Sequence, residues 1–523
     1  MSYMSPKKGQ EQCGGEEPAC RRCLNHGLQC PGYSRKLEFV FYDTDPAGKR
    51  NALVKPSSEA RKSSSANQML QSKKKPSMNQ HAVIVTNNSD ILHESSGYSL
   101  AASQNKTGLM AVLRERYVPQ LPKFSTEQGV MNGANWIATA CSLAAVSEYS
   151  EMLSDSLLAM SLSLVSLEQH EAQLSTASLK QYSLAINGLR SSLAPGPSGL
   201  SQHQIDVSLV KCLACGMYEM MTNKSLSALM RHLNGVNAIL KASGVQGLQS
   251  ESSRRTFYEY RSIYLPIALS VRKPNFLSSS EWINPTWKRL EPLSSSNLHT
   301  VIDIGFGIPV LMEKFDELQQ QDQQADSATY VESQLNNIIL EGLAMQQAFD
   351  DWEYRVRDGN EEIQLYIPRL AKSPDPLDIY GNGEVYSISF TFANWDNASG
   401  LSYHEMLQIT LNTLLTDIEA YARRSNLHPP ALSGIDASNL NKKSIECADR
   451  VCQSVEWFLE DHKRLIGRMV ILAPFETARG LFARLCRDSI GDVLQDAVLI
   501  KKRKFCEMTT QRIRDSGLPV WAE

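Results

Sequence analysis

Four of the eleven cysteines, Cys13, Cys20, Cys23 and Cys30, fall within a single short stretch, while the other seven are scattered along the rest of the chain. Two cysteines separated by two residues wrap a turn so that both sulfurs face one metal. A third and a fourth at intermediate distance complete a tetrahedron of thiolates around zinc, with Zn–S bonds of about 2.3 Å. Gly27 and Pro31-Gly32 supply the tight turns that let the sulfurs converge. Arg21 and Arg22 stand between two of these ligands, where their charge offsets that of the thiolates. Zinc held by Cys13, Cys20, Cys23 and Cys30 is the chemistry this stretch predicts, against the plainer reading of accidental clustering. His26 lies in the same stretch, but the even cysteine spacing leaves it a solvent-facing loop residue.

Other reactive side chains form no such set. Cys212 and Cys215 have a two-residue spacing, yet they sit in an apolar helical run without partner cysteines and read as buried core thiols, as do Cys447 and Cys452. Gly305-Phe-Gly307 and Gly381-Asn-Gly383 lack the third glycine of a dinucleotide fingerprint. No phosphate-binding loop, no nucleophile elbow and no paired-histidine metal motif occurs, and the ten histidines are scattered. Catalysis therefore finds no support, and an α-helical enzyme is the weakest of three readings.

A tetrathiolate needs elements to position it and a body to act through. The 523-residue chain is 42% hydrophobic and 21% charged, which suits one or two globular domains with tails and excludes wholesale disorder. No apolar run approaches the length of a membrane span, and Met1–Gln10 lacks the apolar core of a signal peptide, so a cytosolic origin with reduced thiols is expected. The net charge of −3 hides an asymmetry. Residues 1–80 carry 14 Lys/Arg against 7 Asp/Glu, a basic head on an acidic body, which suits a polyanion-binding end.

Residues 37–108 read as a disordered basic, Ser-rich linker, because 46–108, rich in Ser, Lys, Asn and Gln, buries too little apolar surface to offset ordering entropy. Ala82–Thr86 (AVIVT) interrupts it as a short strand or docking segment. From 109 to 523 the pattern is helical. Leu179, Tyr182, Ile186, Leu189 and Leu193 predict one apolar stripe; Leu226, Leu229, Leu233, Val236 and Leu240 a second; Leu407, Leu411, Leu414, Ile418 and Tyr421 a third. Less regular helical spacing covers 136–168, 205–221, 334–349, 445–472 and 490–506. Val385–Phe392 (VYSISFTF) is the best strand candidate. The expected fold is all-α, a large multi-helix domain in two helix-rich blocks with a looser middle around 245–400 and no repeat of fixed period.

The segment CGGEEPACRRCLNHGLQCPGY resembles the second half of the fungal Zn2Cys6, or binuclear zinc cluster, DNA-binding domain. In that family six cysteines in two C-x2-C-x6-C halves hold two zinc ions, and two of the sulfurs bridge both metals. By this resemblance Cys13 corresponds to the third ligand, and Cys20, Cys23 and Cys30 to the fourth, fifth and sixth. Pro6 and Tyr3 stand where the first two ligands fall, and neither replaces a thiolate at zinc. Four sulfurs do not make a binuclear cluster, so one zinc ion is expected here where the complete family module holds two. The interval the family uses for base reading is Lys7-Lys8-Gly9-Gln10-Glu11-Gln12, with two basic residues. A gene prediction lacking its first exon, a shortened isoform, and a relative that has abandoned base readout all fit, the first being favoured.

The region from Trp136 to Gly244 is similar, more weakly, to the helical regulatory domain that follows these clusters. Lys180–Arg190 (KQYSLAINGLR) and Met230–Leu240 (MRHLNGVNAIL) carry that likeness. The resemblance implies three regions: a partial zinc-cluster segment at 1–36, the linker at 37–108 and a helical regulatory domain at 109–523. It implies a nuclear, zinc-dependent regulator of RNA polymerase II genes that binds DNA as a homodimer or with related factors, and no membrane. Arg21, Arg22, Arg35 and Lys36 are its candidate DNA contacts, the last two to phosphate. The alternative is a helical partner or inhibitor of intact zinc-cluster factors that does not itself bind DNA.

Overall fold

The structure is a computed structural model that describes residues 103–119, 136–193, 199–223, 226–288, 296–322, 328–358, 365–372, 385–488 and 493–515. All of them lie within one compact unit of the chain, 86–523. That unit is mostly helical, as the apolar spacing requires. In chain order the helices are α1 (Ser103–Tyr117), α2 (Trp136–Ala144), α3 (Ser147–Gln169), α4 (Ala172–Ser192), α5 (Gln202–Asn223), α6 (Leu226–Ser243) and α7 (Glu251–Ser270). There follow α8 (Asn297–Gly305), α9 (Ile308–Asp322), α10 (Ala328–Asp358), α11 (Trp395–Arg424), α12 (Ala437–Phe458), α13 (Arg464–Asp488) and α14 (Val493–Asp515).

Several helix starts are fixed by local chemistry. Ser250, Ser296, Asn394 and Asp436 have extended backbones, and their side chains accept from the N–H three residues on, opening α7, α8, α11 and α12. Each such cap satisfies a donor that the helix itself leaves unpaired.

Two of the three expected stripes face the core as read. On α6, Leu229, Leu233, Val236 and Leu240 are buried, and on α11 so are Leu407, Leu411, Leu414, Ile418 and Tyr421. The α4 stripe differs. Its buried face runs Leu174, Ser178, Gln181, Ala185 and Leu189, whereas Leu179 is 55% exposed. The reason is a close approach to α3: the Ser178 hydroxyl donates to the carbonyl of Ala159 at 2.8 Å, so a small hydroxyl fits where a leucine would not. Among the described residues the middle of the chain is also largely helical, because α7 to α10 occupy much of it and α10 runs for 31 residues.

The expected strand forms as β2 (Ile388–Thr391), paired antiparallel with β1 (Ile367–Leu370), Pro368 lying opposite Phe390. The N–H of Ala371 reaches the carbonyl of Ser387 at 3.0 Å, so odd-numbered positions bond to β2 and Pro368 lies on the outer edge. An edge proline offers no donor to a further strand.

One contiguous core runs from Leu113 on α1 to Ile513 on α14. Two helices organise it. α5 is buried from Ile205 to Met221, with α3, α4, α6 and α7 around it. α11 is buried from Asn397 to Ile409, with α8, α10, α12 and α13 around it. Between them, α8 touches both blocks. A Cβ placed on Gly305 would come within 2.7 Å of Leu407 on α11 and 3.0 Å of Leu265 on α7.

Candidate functional site

The residues that the sequence singles out for zinc, Cys13, Cys20, Cys23 and Cys30, and those for DNA, Arg21, Arg22, Arg35 and Lys36, lie outside the described residues. So does Ala82–Thr86. Among the described residues no group of three or more His, Cys, Asp or Glu side chains is arranged to hold a metal ion. The polar chemistry of the body gathers instead at three buried nodes.

The first is on α5. An apolar reading of 205–221 hides three charges, Asp206, Lys211 and Glu219, which are all buried. Each ties α5 to its neighbours. Asp206 accepts from the Ser250 hydroxyl at 2.6 Å, from Gln202 at 2.8 Å and from the Tyr149 phenol at 3.4 Å, joining the cap of α7 and α3. Lys211 lies under Gly188 of α4, where a Cβ would come within 2.9 Å of its nitrogen. Burial lowers the pKa of Lys211, and Asp155 on α3 opposes that shift.

Glu219 accepts from the Tyr182 phenol at 2.6 Å and from the side-chain amide of Asn223. Nε2 of His232 lies 3.1 Å from the same phenol oxygen. With the phenol donating to Glu219, Nε2 carries the proton and donates. Tyr182 also stacks on Tyr218 with ring centroids 4.4 Å apart. The two stretches resembling the regulatory domain thus meet through polar atoms, Tyr182 of one against His232 of the other. Burial holds the Tyr182 phenol well above its usual range, and the hydrogen bond to Glu219 adds to this. Burial also holds the His232 imidazole down at about 4. Both are neutral near pH 7, and their hydrogen bonds tie α4, α5 and α6 together.

The second node is on α7. Arg261 is 1% exposed; it pairs with Asp303, and its guanidinium lies 5.3 to 5.8 Å from the ring centres of Phe306, Phe257 and Tyr258. Lys288 reaches the other oxygen of Asp303 at 2.6 Å. His299, fully buried beside this group, makes no hydrogen bond from either ring nitrogen to a described residue. Burial, with Arg261 and Lys288 nearby, holds it at about 3.

The third node is on α11. Glu405, with no exposure, takes a two-pronged bond from Arg450 of α12 at 2.8 and 2.7 Å. His404 places Nδ1 3.6 Å from Glu405, and its ring stacks on Trp352 of α10 with centroids 4.7 Å apart. Burial alone would raise the Glu405 carboxyl, but Arg450 and His404 override it and hold it at about 2. Cys447 lies 3.4 Å from Arg450, its thiol pushed well up by burial. Cys212, Cys215, Cys447 and Cys452 are all buried free thiols, as their apolar surroundings predict. Burial pushes Cys212 up to about 12.

Nothing in the sequence signals which of these charges meet. α5 betrays its burial only by the scarcity of charge along Ile205–Met221, and Arg450 lies 45 residues from the carboxylate it neutralises. Compared with protein-family models, with curated proteins and with solved structures, the chain gave no match.

Proposed function

We propose that the chain is a zinc-dependent regulator of transcription that works in the nucleus, its four early cysteines holding one zinc ion and its helical body acting as the regulatory domain. The observation that carries this is the spacing Cys20-x2-Cys23-x6-Cys30, preceded by Cys13 at x6, which reproduces four consecutive ligands of the fungal binuclear cluster. Supporting it are the basic head, the order of segments, and the all-helical body in which the two regulatory-domain-like stretches are neighbouring helices α4 and α6, joined through Tyr182 and His232. With two of the family's six ligands replaced by Tyr3 and Pro6, base reading is reduced. Arg21, Arg22, Arg35 and Lys36 give mainly phosphate contact, which is weakened by salt.

Metal analysis of the full chain, purified under reducing conditions, tests the site: one zinc per chain is expected, lost in Cys20→Ser/Cys23→Ser. A metal-free wild-type protein overturns the assignment. DNA affinity then separates two roles. Weak binding that falls steeply between 50 and 200 mM salt fits a DNA-contacting regulator (roughly tenfold or more for several phosphate contacts).

The replaced ligands favour one second reading, a helical partner or inhibitor of intact zinc-cluster factors. It predicts the zinc without measurable DNA binding, and association with a related factor through the helical body.

A further inference from the structure

Cys452 of α12 and Cys506 of α14 lie 54 positions apart in sequence, yet their sulfur atoms are 3.7 Å apart. That is contact distance. Both thiols are buried, at 2% and 0% exposure. The buried apolar residues of α14 are Leu499, Cys506 and Ile513, one every seven, with Thr509 and Thr510 buried between the last two, so Cys506 lies within the face by which the helix docks. Around the pair the docking is polar. Asp449, one turn before Cys452, accepts from Lys502 at 2.7 Å and from the Tyr386 phenol at 2.7 Å. Lys502 is one turn before Cys506, and Phe505, immediately before Cys506, meets the Tyr386 ring edge-on at 4.8 Å. Thr510 adds a hydrogen bond to Glu476 of α13 at 3.1 Å.

We propose that Cys452 and Cys506 form a dithiol–disulfide modification site, at which a peroxide of the cell converts the pair to a disulfide that staples α14 to α12. With α14 docked, neither thiol reacts, because both are buried, and the hydrogen bond between them together with that burial keeps Cys506 protonated. When α14 lifts, both become ordinary accessible thiols. One loses its proton and attacks the peroxide; an S–O bond forms, the O–O bond breaks and water leaves, giving a sulfenic acid. Redocking returns the second sulfur to contact, where it displaces the hydroxyl; an S–S bond forms, the S–O bond breaks and a second water leaves. Two thiols lose two electrons in all, and one peroxide is reduced to two waters. The product closes a long loop containing α13 and holds α14 in place until a reductant opens it. The site is independent of the zinc and DNA reading above.

Mild hydrogen peroxide applied to the full chain, followed by alkylation, trypsin and mass spectrometry, tests it. The peptides Val451–Lys463 and Phe505–Arg512 are expected joined and lighter by two hydrogens, and separated again by dithiothreitol. Amide exchange across α14 is expected to slow about tenfold in the oxidised protein. Lys502→Ala, which loosens the docking without touching either sulfur, is expected to speed cross-linking by about fivefold. Recovery of the two peptides unlinked, or linked only to other cysteines, overturns the site. A cross-linking rate unchanged in Lys502→Ala overturns the opening step. Because the wild-type protein carries the first test, the conclusion does not depend on whether a cysteine variant folds.

Discussion

The two blocks of the body solve one problem in different ways. Each is built around a helix buried nearly all round, and each of those helices carries charges in its buried length. On α5 the carboxylates Asp206 and Glu219 are answered by neutral donors: a hydroxyl, two amides and two phenols. On α11 the carboxylate of Glu405 is answered by a full opposite charge, the guanidinium of Arg450. Neutral donors spread the work over several weak partners, so losing one leaves others in place. A single ion pair concentrates it, and removing one member strands the other where water cannot reach.

Breaking the ion pair is therefore the largest expected effect. Arg450→Ala should lower the unfolding free energy by about 3 to 5 kcal/mol in urea titrations, whereas Glu405→Leu/Arg450→Met should recover most of that loss. If the single variant proves no worse than the double, the carboxylate is not stranded and the contrast between the blocks collapses.

Acid should separate the blocks next. His232 is lowered from 6.5 to about 4 by burial, so the unfolded chain binds its proton first. Its contribution is complete above pH 6.5 and is lost as pH falls from there to 4. Glu405 is lowered from 4.5 to about 2, so its contribution is complete above pH 4.5 and is lost as pH falls from there to 2. Each limb is on the order of 3 kcal/mol. His299, held at about 3, loses its contribution over the same upper range, so His232→Gln should shrink the upper limb without abolishing it and leave the Glu405 limb intact, as read from stability against pH; a Glu405 limb that shrinks as well would show that the nodes are not separate.

Two glycines sharpen the comparison sterically. On α11 a Cβ at Gly400 would meet backbone atoms of Asn297 and Leu298 at 3.2 Å, and backbone cannot swing aside. On α5 a Cβ at Gly216 would come within 2.9 Å of the end of the Leu229 side chain, which can turn. Gly400→Ala should cost about 1 to 3 kcal/mol, while at Gly216→Ala the gain in helix propensity, about 1 kcal/mol, offsets much of the crowding. Equal melting temperatures for the two variants would contradict this.

The smallest effect tests the spreading of partners on α5. Tyr182→Phe removes one donor from Glu219, leaves Asn223, and takes the acceptor from His232, so a loss of about 1 to 2 kcal/mol is expected, with the circular dichroism spectrum unchanged. A loss as large as that of Arg450→Ala would mean that the phenol alone sustains the carboxylate.

Much of the scaffold was readable before folding was considered. Period-3.6 leucines placed α6 and α11 and told which face turns inward, because local geometry alone sets that period. The reading slipped at α4, where Ser178 rather than Leu179 faces the core; the choice is made by the carbonyl of Ala159 on another helix. It slipped again in the middle of the chain, where α10 extends far beyond the apolar run at 334–349. The buried nodes were less legible still. Asp206, Lys211, Glu219, Arg261 and Glu405 look in sequence like any solvated charge, and apart from Gln202 and Asn223, each one turn from its carboxylate, nothing in their own neighbourhoods announces their partners.

The sequence by itself determined the helical class of the body, the apolar stripes of α6 and α11 and the even ladder of early cysteines, since each follows from spacing along one chain. Only the tertiary structure decided which charges are buried, that Tyr182 meets His232, and that Cys452 touches Cys506. Those pairings depend on how helices cross, and a helix crossing is fixed by side-chain volumes contributed from both partners at once.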